Sequence, residues 1–326
     1  MSCTLTIESL DAVASSWDRW GHCLRWGSIF VLPAWLKAWW HAFGSGAELQ
    51  LRLMREGDEV IGFAPLQVKD KVASFVGSPD VCDYVDFAVA PGKEIQFFDL
   101  LLEDLKGQGV NRLELAPVRP DSTVLTQLTG VARSRGCKVV QRPEDVSLEL
   151  DLPATWEDYL AELKPKQRHE VRRKLRRLWL ADRAEYHCLS VGSETDEHMD
   201  AFLQLFALSE PEKARFMNGR MELFFRALTR GMAEIGLLRL GIIKVGDIEA
   251  AMTIGFDHSG CYYLYNSAYD PRFSHLSVGL LCKVLCLKDS IEKGRTKWDF
   301  LKGSEPYKYQ LGGHEVPIYG CDITIA

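Results

Sequence analysis

The chain has 326 residues, of which 47% are hydrophobic, so it is long enough for two ordinary domains that each bury a core. Its formal net charge of -6 disfavours a protein built to coat nucleic acid nonspecifically, although a local basic patch is compatible with it. The nine cysteines form no CxxC pair, which disfavours a zinc site or a disulfide framework, and the sequence predicts no metal.

The N-terminus, MSCTLTIESLDAVASSW, lacks the basic residues and the apolar run of a signal peptide. No later stretch reaches the length of a transmembrane helix without a charge or a proline. We therefore expect a cytoplasmic protein with no transmembrane segment.

Tryptophans are concentrated near the start of the chain, where six of the nine lie between Trp17 and Trp40. Trp35 and Trp39 are one turn apart in LPAWLKAWWHAF, residues 32–43, a pattern typical of a helix that buries an aromatic stripe. A platform for an aromatic substrate is the alternative interpretation.

The chain contains an internal repeat. Residues 51–66 and 238–256 each show the pattern of a β-hairpin, a strand followed by a Gly-Asp turn and a second strand, and the two turns are 189 positions apart. Each copy then continues into an amphipathic helix, a glycine and a strand, and these glycines, Gly109 and Gly294, are 185 positions apart. The spacing predicts a tandem duplication, whereas two unrelated α/β segments with similar turns are the alternative.

A cluster of polar side chains follows a strand of the first copy. The stretch VGSPDVCDYVDF, residues 76–87, contains Asp83, Tyr84 and Asp86. Two carboxylates there could receive a cationic amine or act as a base, so these three residues are candidates for substrate binding. Turn chemistry and solvation are the alternative explanation for the aspartates.

Within residues 149–159 the strand-like alternation of polar and apolar residues ends, and a proline and the predicted start of a helix follow. The sequence therefore predicts two α/β domains, at residues 1–150 and 151–326.

A strongly basic segment follows this boundary. KPKQRHEVRRKLRR, residues 164–177, has eight basic residues and one acidic residue in a chain that is acidic overall. Val171, Leu175 and Leu178 form a helical apolar stripe, which leaves cations on the other faces. Arg168 and Arg172 are our candidates for binding a polyanion, such as a coenzyme phosphate, a nucleotide-linked substrate or a tRNA backbone. A solvated charged face is the alternative.

The segment SHLSVGLL, residues 274–281, follows the strand CYYLYNSAY and opens a long apolar helix. Small residues at its start leave the N–H groups of the first turn open to an anion such as the pyrophosphate of coenzyme A. Ser277, Val278 and Gly279 are therefore candidate cofactor-binding residues, and Asn266 in the preceding strand is a further substrate-binding candidate. Ser277 as a plain helix N-cap is the alternative.

The stretch WDFLKGSEPYKYQLG, residues 298–312, ends the last well-patterned part of the chain. Together with the duplication, the order of elements and SHLSVGLLCKVLCLKDSIEKG, it resembles the tandem GNAT acyltransferases of the cellulose-biosynthesis acetyltransferase (CelD-like) type, relatives of the Fem aminoacyl transferases. The resemblance spans most of the chain and is closest between Arg239 and Gly312. The glycine-rich pyrophosphate motif that is usual in the wider GNAT superfamily is missing from this sequence.

The resemblance implies two tandem GNAT folds, each a mixed sheet flanked by helices, with the donor site in the second domain. It also implies an acyl-CoA thioester as donor and an amine as acceptor, carried by a small molecule or a precursor of the cell envelope or a polysaccharide. We therefore expect an N-acyltransferase, by resemblance an acetyltransferase. An aminoacyl-tRNA-dependent transferase of the Fem kind and a catalytically silent GNAT-fold binding module are the alternatives.

The same relatives share an aromatic-lysine pair after the corresponding strand, and their lysine is implicated at the reacting centre. Tyr307 and Lys308 match this pair. In an acyl transfer the carbonyl oxygen gains negative charge as the amine attacks, so a fixed cation beside it lowers the barrier. The resemblance thus implies Lys308 as a catalytic residue, with Tyr307 or Glu305 as acid or base. A solvent-exposed loop lysine is the alternative.

Overall fold

The computed structural model describes residues 3–181, 183–190, 195–209 and 215–325. By their internal contacts the residues form two compact units, Met1–Val146 with Val316–Ala326, and Ser147–Glu315. Each unit combines helices with a sheet of mixed parallel and antiparallel strands. The division at residues 150 and 151 stays a prediction.

The first unit starts with a strand, two helices and a hairpin, which are β1 (Cys3–Glu8), α1 (Leu10–Trp20), α2 (Pro33–Phe43), β2 (Glu48–Glu56) and β3 (Glu59–Lys69). It continues with β4 (Val72–Phe75), β5 (Ala88–Val89), α3 (Glu94–Gly107), β6 (Arg112–Val118), α4 (Thr129–Ser134) and β7 (Lys138–Asp151). Residues 316–324 of the last strand, β13 (His314–Thr324), lie between β6 and β7, and the order is β1-β2-β3-β4-β6-β13-β7.

The second unit starts with helices α5 (Trp156–Glu162) and α6 (Pro165–Trp179), strand β8 (Ala184–Leu189), and helices α7 (Thr195–Ser209) and α8 (Gly219–Glu234). It continues with β9 (Leu238–Val245), β10 (Ile248–His258), β11 (Cys261–Tyr269), α9 (Val278–Glu292), β12 (Lys297–Lys302) and α10 (Pro306–Gln310). The strand order is β8-β9-β10-β11-β12, and the end of β7, residues 147–151, pairs antiparallel with β12.

From β8 onward the second unit repeats the element order of the first, namely a strand, two helices, a hairpin, a third strand, a helix and a strand. In both units the strands before and after the helix pair in parallel, β4 with β6 and β11 with β12. Both hairpins also contain a bulge after the turn, where the extra residue is Ile61 in β3 and Ala250 in β10. Because a bulge is a specific local feature, its recurrence at the same distance from the turn supports the duplication.

The core of each unit holds aromatic or sulfur side chains. Trp35 is fully buried and packs edge-on against Phe30, with ring centroids 4.7 Å apart, which confirms the core interpretation of α2. In the second unit Cys282 and Cys286 are buried on α9, and a Cβ on Gly241 would overlap the sulfur of Cys286. Helix α9 is therefore held tightly against β9.

None of the helices in the described ranges is both long enough and apolar enough to cross a bilayer.

Candidate functional site

The basic helix α6 forms one wall of the candidate site. It begins at Pro165, whose fixed φ suits the first helical position, and ends at Trp179. Of the predicted apolar stripe, Val171 and Leu178 are buried and Leu175 is half-buried, so the stripe faces the interior. The side chains that flank Val171 on the helix surface therefore lie at the edge of the core.

The start of α9 forms a second wall. Ser277 occupies the N-cap position of α9, but its backbone angles are left-handed (φ 59°, ψ 34°) and its side chain makes no capping hydrogen bond. Its hydroxyl oxygen instead accepts a hydrogen bond of 3.0 Å from the guanidinium of Arg177 on α6. Helix geometry leaves the N–H groups of Val278, Gly279 and Leu280 without an intrahelical acceptor. The three predicted cofactor-binding residues thus lie together at a helix start that is tied to the basic helix.

Gly279 is small for a packing reason. A Cβ at this position would lie 2.9 Å from the ring of Tyr269, which is closer than normal Cβ contacts. The glycine therefore lets the first turn of α9 approach the end of β11.

A pocket of about 420 Å³ lies between these walls. It is lined by Lys166, Gln167, Glu170, Val171, Lys174, Leu280, Gln310 and Leu311. Lys166 and Lys174 thus line this space with Glu170 of the same helix and with Leu280 from the first turn of α9, where the helix dipole favours negative charge, whereas Ser277, Val278 and Gly279 are not part of the lining. Valine and leucine side chains supply an apolar wall, so the pocket suits an anionic group with an apolar extension. We call it the lysine pocket.

Arg168 and Arg172 do not line the lysine pocket. The guanidinium of Arg168 donates to the carbonyl oxygen of Ala161 at 3.4 Å, and that of Arg172 pairs with Glu157 on α5 at 2.8 Å. Residues two positions apart on a helix point about 200° apart, so these arginines face away from the side that carries Lys166 and Lys174. Sequence reasoning missed the two lysines.

The sequence contained no signal that separates these lysines from the arginines. Lys174 is three residues after Val171 and Arg168 is three residues before it, so both neighbour the buried stripe on the helix surface. The choice between them requires knowing which side of α6 faces the pocket.

Lys308 lies in α10, just after β12, and only 2% of its surface is exposed, so its interpretation as an exposed loop lysine is wrong. Its ammonium donates to the carbonyl oxygens of Leu301, Lys302 and Gly303 at 3.0, 2.6 and 3.1 Å. The carboxylate of Glu305 lies 2.9 Å away. Four protein oxygens thus surround three ammonium hydrogens, and none is left for a substrate carbonyl. The catalytic role of Lys308 stays a prediction.

The lysine holds an unusual turn. Leu301 has a φ of 63° and Gly303 a φ of 105°, both in the left-handed region, which a leucine rarely adopts. Because the ammonium of Lys308 bonds the carbonyls of 301–303, it fixes this turn and the start of α10 relative to β12.

Tyr307 lies one turn before the pocket residues Gln310 and Leu311 on the same helix. Burial raises the pKa of Tyr307 well above its ordinary value, and the charge of Glu305 raises it further, so the phenol stays protonated at neutral pH. The ammonium of Lys283 lies 4.9 Å from the centre of the ring. The phenol oxygen has no hydrogen-bond partner among the residues that the structure describes. Tyr307 is therefore a neutral proton donor beside the lysine pocket.

Asn266 does not line the lysine pocket. It lies on β11 next to a bulge opposite Ile254 and Gly255, and its side-chain oxygen accepts a hydrogen bond of 2.8 Å from the N–H of Ser267. Its role in substrate binding stays a prediction.

The acidic cluster of the first unit surrounds a second, smaller cavity of about 110 Å³. Tyr84 and Asp86 line it together with Arg119, whose guanidinium lies 5.1 Å from the ring centre of Tyr84, whereas Asp83 is not part of the lining. Asp86 is 5% exposed, so solvation does not explain this residue. Its carboxylate accepts hydrogen bonds from the N–H and the hydroxyl of Thr123, at 2.9 and 2.6 Å.

The structure also predicts a pH effect at Asp86. Burial raises the pKa of this carboxyl to about 6, against which the hydrogen bonds from Thr123 act. The native state therefore binds the proton of the Asp86 carboxyl more tightly than the unfolded chain does. The contribution of this proton to the free energy of unfolding is complete below about pH 4 and is lost as the pH rises through 6. A shift of two pKa units corresponds to about 3 kcal/mol.

We expect the free energy of unfolding of wild type minus that of Asp86→Asn to be larger at pH 4.5 than at pH 7, because only the wild-type carboxyl takes up the proton. Urea unfolding at both pH values measures this difference. Asp121→Asn, at an exposed carboxylate of the same cavity, is the control, and its difference from wild type should not depend on pH in this way. A pH-independent difference for Asp86→Asn would contradict the prediction.

Among the described residues, no group of three or more His, Cys, Asp or Glu is placed to hold a metal ion.

Comparison with protein families matches residues 165–309 to the family described as Acetyltransferase (GNAT) domain. The match covers less than half of the chain and lies within the second unit, where it includes the lysine pocket residues from α6 and α9. No curated protein sequence matches the chain.

Several solved structures are similar over nearly the whole chain. FemX has a TM-score of 0.67 at 13% identity, over 99% of this chain and 97% of that one. A conserved protein of unknown function from Bacteroides thetaiotaomicron has a TM-score of 0.63 at 13% identity, over 99% and 100% of the two chains. L-PGS from Bacillus licheniformis has a TM-score of 0.54 at 10% identity, over 88% and 90%.

At these identities the structures establish the fold alone. The chain has a mixed α/β, GNAT-like fold, which confirms the fold class predicted from the sequence. FemX is thus a structural neighbour of the chain, and the relation to the Fem transferases and to the cellulose-biosynthesis type stays a prediction.

Proposed function

We propose that the protein is an N-acyltransferase that binds an acyl-CoA in the lysine pocket and transfers its acyl group to an acceptor amine. The observation that carries the proposal is the meeting of Lys166, Lys174 and the first turn of α9 around one pocket, inside the segment that matches the GNAT domain. Cations and free N–H groups suit the phosphates of coenzyme A, and the apolar wall suits its pantetheine arm.

The proposed reaction is direct attack. The amine nitrogen forms a bond to the thioester carbonyl carbon, the carbon–sulfur bond breaks, and coenzyme A leaves as a thiolate. Tyr307 on α10 is our candidate to protonate this thiolate, because its phenol hydroxyl has no hydrogen-bond partner in the described part of the chain. The proton that the amine loses passes to water, and the Tyr307 phenolate takes a proton back from water.

In this proposal Lys308 and Glu305 act through the turn after β12. The ammonium is saturated by protein oxygens, and Glu305 is ion-paired to it, so both support the position of Tyr307 on α10. They are positioning residues, because neither needs to touch the substrate.

The acceptor is proposed only by class, as an amine of a small molecule or of a precursor of the cell envelope or a polysaccharide. Asp86 and Tyr84 are retained as acceptor-binding candidates because they line one polar cavity, and Asp83 and Asn266 because of their sequence positions alone. A cytoplasmic location is likewise part of the proposal.

The test is binding of coenzyme A and acetyl-CoA to the full chain by titration calorimetry. We expect Lys166→Gln and Lys174→Gln each to weaken binding about tenfold, since each removes one charge-assisted contact to a phosphate. Arg168→Gln with Arg172→Gln is the matched control, because it removes two cations from the same helix but from the side away from the pocket. Binding by this control within twofold of wild type is expected.

The alternatives give different results in the same experiment. RNase-sensitive association with charged tRNA and no response to coenzyme A would identify the Fem-like donor instead. A folded protein that binds neither would indicate a binding module without transferase activity. If the arginine control lost binding and the lysine variants kept it, the donor would lie on the other side of α6.

A further inference from the structure

The side of α6 that faces away from the lysine pocket carries a second set of residues. Arg172, Arg176, Trp179 and Leu180 are spaced by three or four positions or are adjacent, so they lie on one side of the helix. All four are exposed, and Trp179 and Leu180 are 46% and 80% exposed. We call these four residues the outer stripe.

The outer stripe combines positive charge with apolar surface. Arg172 pairs with Glu157, but both side chains are mostly exposed, and exposed ion pairs of this kind are weak. Arg176 has no carboxylate partner in the ranges that the structure describes. Trp179 and Leu180, at the C-terminal end of the helix, are thus preceded by two arginines that can bind an external anion.

Trp179 and Leu180 leave about half or more of their surface exposed beside two arginines, at the end of a helix whose buried residues are Val171 and Leu178. Tryptophan favours the boundary between lipid headgroups and acyl chains, and arginine favours anionic headgroups, so one surface can satisfy both.

We propose that the outer stripe docks the protein on an anionic lipid surface. Trp179 and Leu180 enter the headgroup region, and Arg172 and Arg176 contact the lipid phosphates. An RNA ligand would use the arginines but would gain nothing from Leu180. Because the outer stripe and the lysine pocket lie on opposite sides of α6, membrane docking and donor binding can fail independently.

Acidic residues nearby limit the attraction. Helix α5 contributes Glu157, Asp158 and Glu162, and Glu157 is close enough to pair with Arg172. Docking is therefore weak and reversible, and it depends on both the charge of the lipid and the ionic strength.

The experiment is cosedimentation of the full chain with vesicles of phosphatidylcholine containing 30% phosphatidylglycerol. We expect binding in low salt that is lost in 0.5 M salt or on pure phosphatidylcholine. Arg172→Gln and Arg176→Gln should each lower the partition coefficient about fivefold, and the double variant Trp179→Ala, Leu180→Ala should lower it about tenfold or more. Quenching of tryptophan fluorescence by brominated lipid should fall in Trp179→Phe.

Matched controls come from the same unit. Arg230 is 60% exposed and pairs with Asp196 at 2.8 Å, much as Arg172 pairs with Glu157, and Leu223 is 55% exposed on α8. Arg230→Gln and Leu223→Ala should bind vesicles as wild type does.

Outer-stripe variants that keep a normal melting temperature and still bind vesicles as wild type does would overturn the proposal. It would also be overturned if the arginine variants alone lost binding, the Trp179 and Leu180 variant bound normally, and tRNA displaced the vesicles. That result would reassign the outer stripe to a nucleic acid.

Discussion

Replacing Lys308 by Met is expected to lower the free energy of unfolding by about 3 kcal/mol. The substitution keeps much of the side-chain volume but removes the ammonium that bonds the carbonyls of 301–303, and a hydrogen bond to a charged group contributes about 1.5–3 kcal/mol. The left-handed turn at Leu301 then lacks the contacts that hold it. Urea unfolding measures the loss, and Lys288→Met, at an exposed lysine of α9, should change stability by less than 1 kcal/mol.

The turnover of the folded Lys308→Met protein distinguishes the two roles of this lysine. If it holds the turn, turnover per folded molecule falls less than tenfold, and Lys308→Arg recovers part of the stability. If it is the cation at the reacting centre, as the family resemblance implies, turnover falls about a hundredfold or more while unfolding stays near normal. We expect the first outcome because every hydrogen of the ammonium already has a protein acceptor.

Tyr307→Phe is expected to lower the turnover number about a hundredfold while leaving donor affinity unchanged. General acid catalysis contributes about 10²–10⁴-fold, and the substitution removes only the phenol hydroxyl, which has no hydrogen-bond partner among the described residues. The ring contacts with Phe300 and Lys283 remain, so the melting temperature should stay near that of wild type. Steady-state kinetics with acetyl-CoA and calorimetric titration separate the two effects.

Tyr309→Phe is the matched control, two positions along the same short helix. Its hydroxyl donates to the carboxylate of Glu315, and its side chain is more exposed than that of Tyr307. Turnover should therefore stay within about twofold of wild type. Equal losses in the two variants, or a loss of donor affinity in Tyr307→Phe, would contradict the role of Tyr307 as the acid.

Local patterns were sufficient to predict much of the fold. The hairpins at residues 51–66 and 238–256 follow from apolar runs around Gly-Asp turns, and α6 follows from an apolar stripe of helical period. The burial of Trp35 and Trp39 follows from the same period. These features depend on residues within a few positions of one another, which a single sequence displays directly.

The candidate site depends on relations that a single sequence does not display. The sequence located the segment around Lys308, but its burial depends on the left-handed turn that brings the carbonyls of 301–303 around the ammonium. The left-handed backbone of Ser277 likewise has no signal in its residue type. Choosing Lys166 and Lys174 over Arg168 and Arg172 required knowing which side of α6 faces α9. Each of these is set by tertiary packing.

The placement of β13 has a consequence for how the protein is made. Residues 316–324 lie between β6 and β7 in the first unit, yet the ribosome adds them only after the whole of residues 147–315. The nascent first unit therefore emerges with the edges of β6 and β7 unpaired at this position, and it keeps them so throughout synthesis of the second unit. Domains usually fold in order from the N-terminus as they emerge, but here the first unit can complete its sheet only after residues 316–324 have been added. Exposed strand edges invite pairing with other chains, so this interval is when the nascent protein most needs protection by a chaperone.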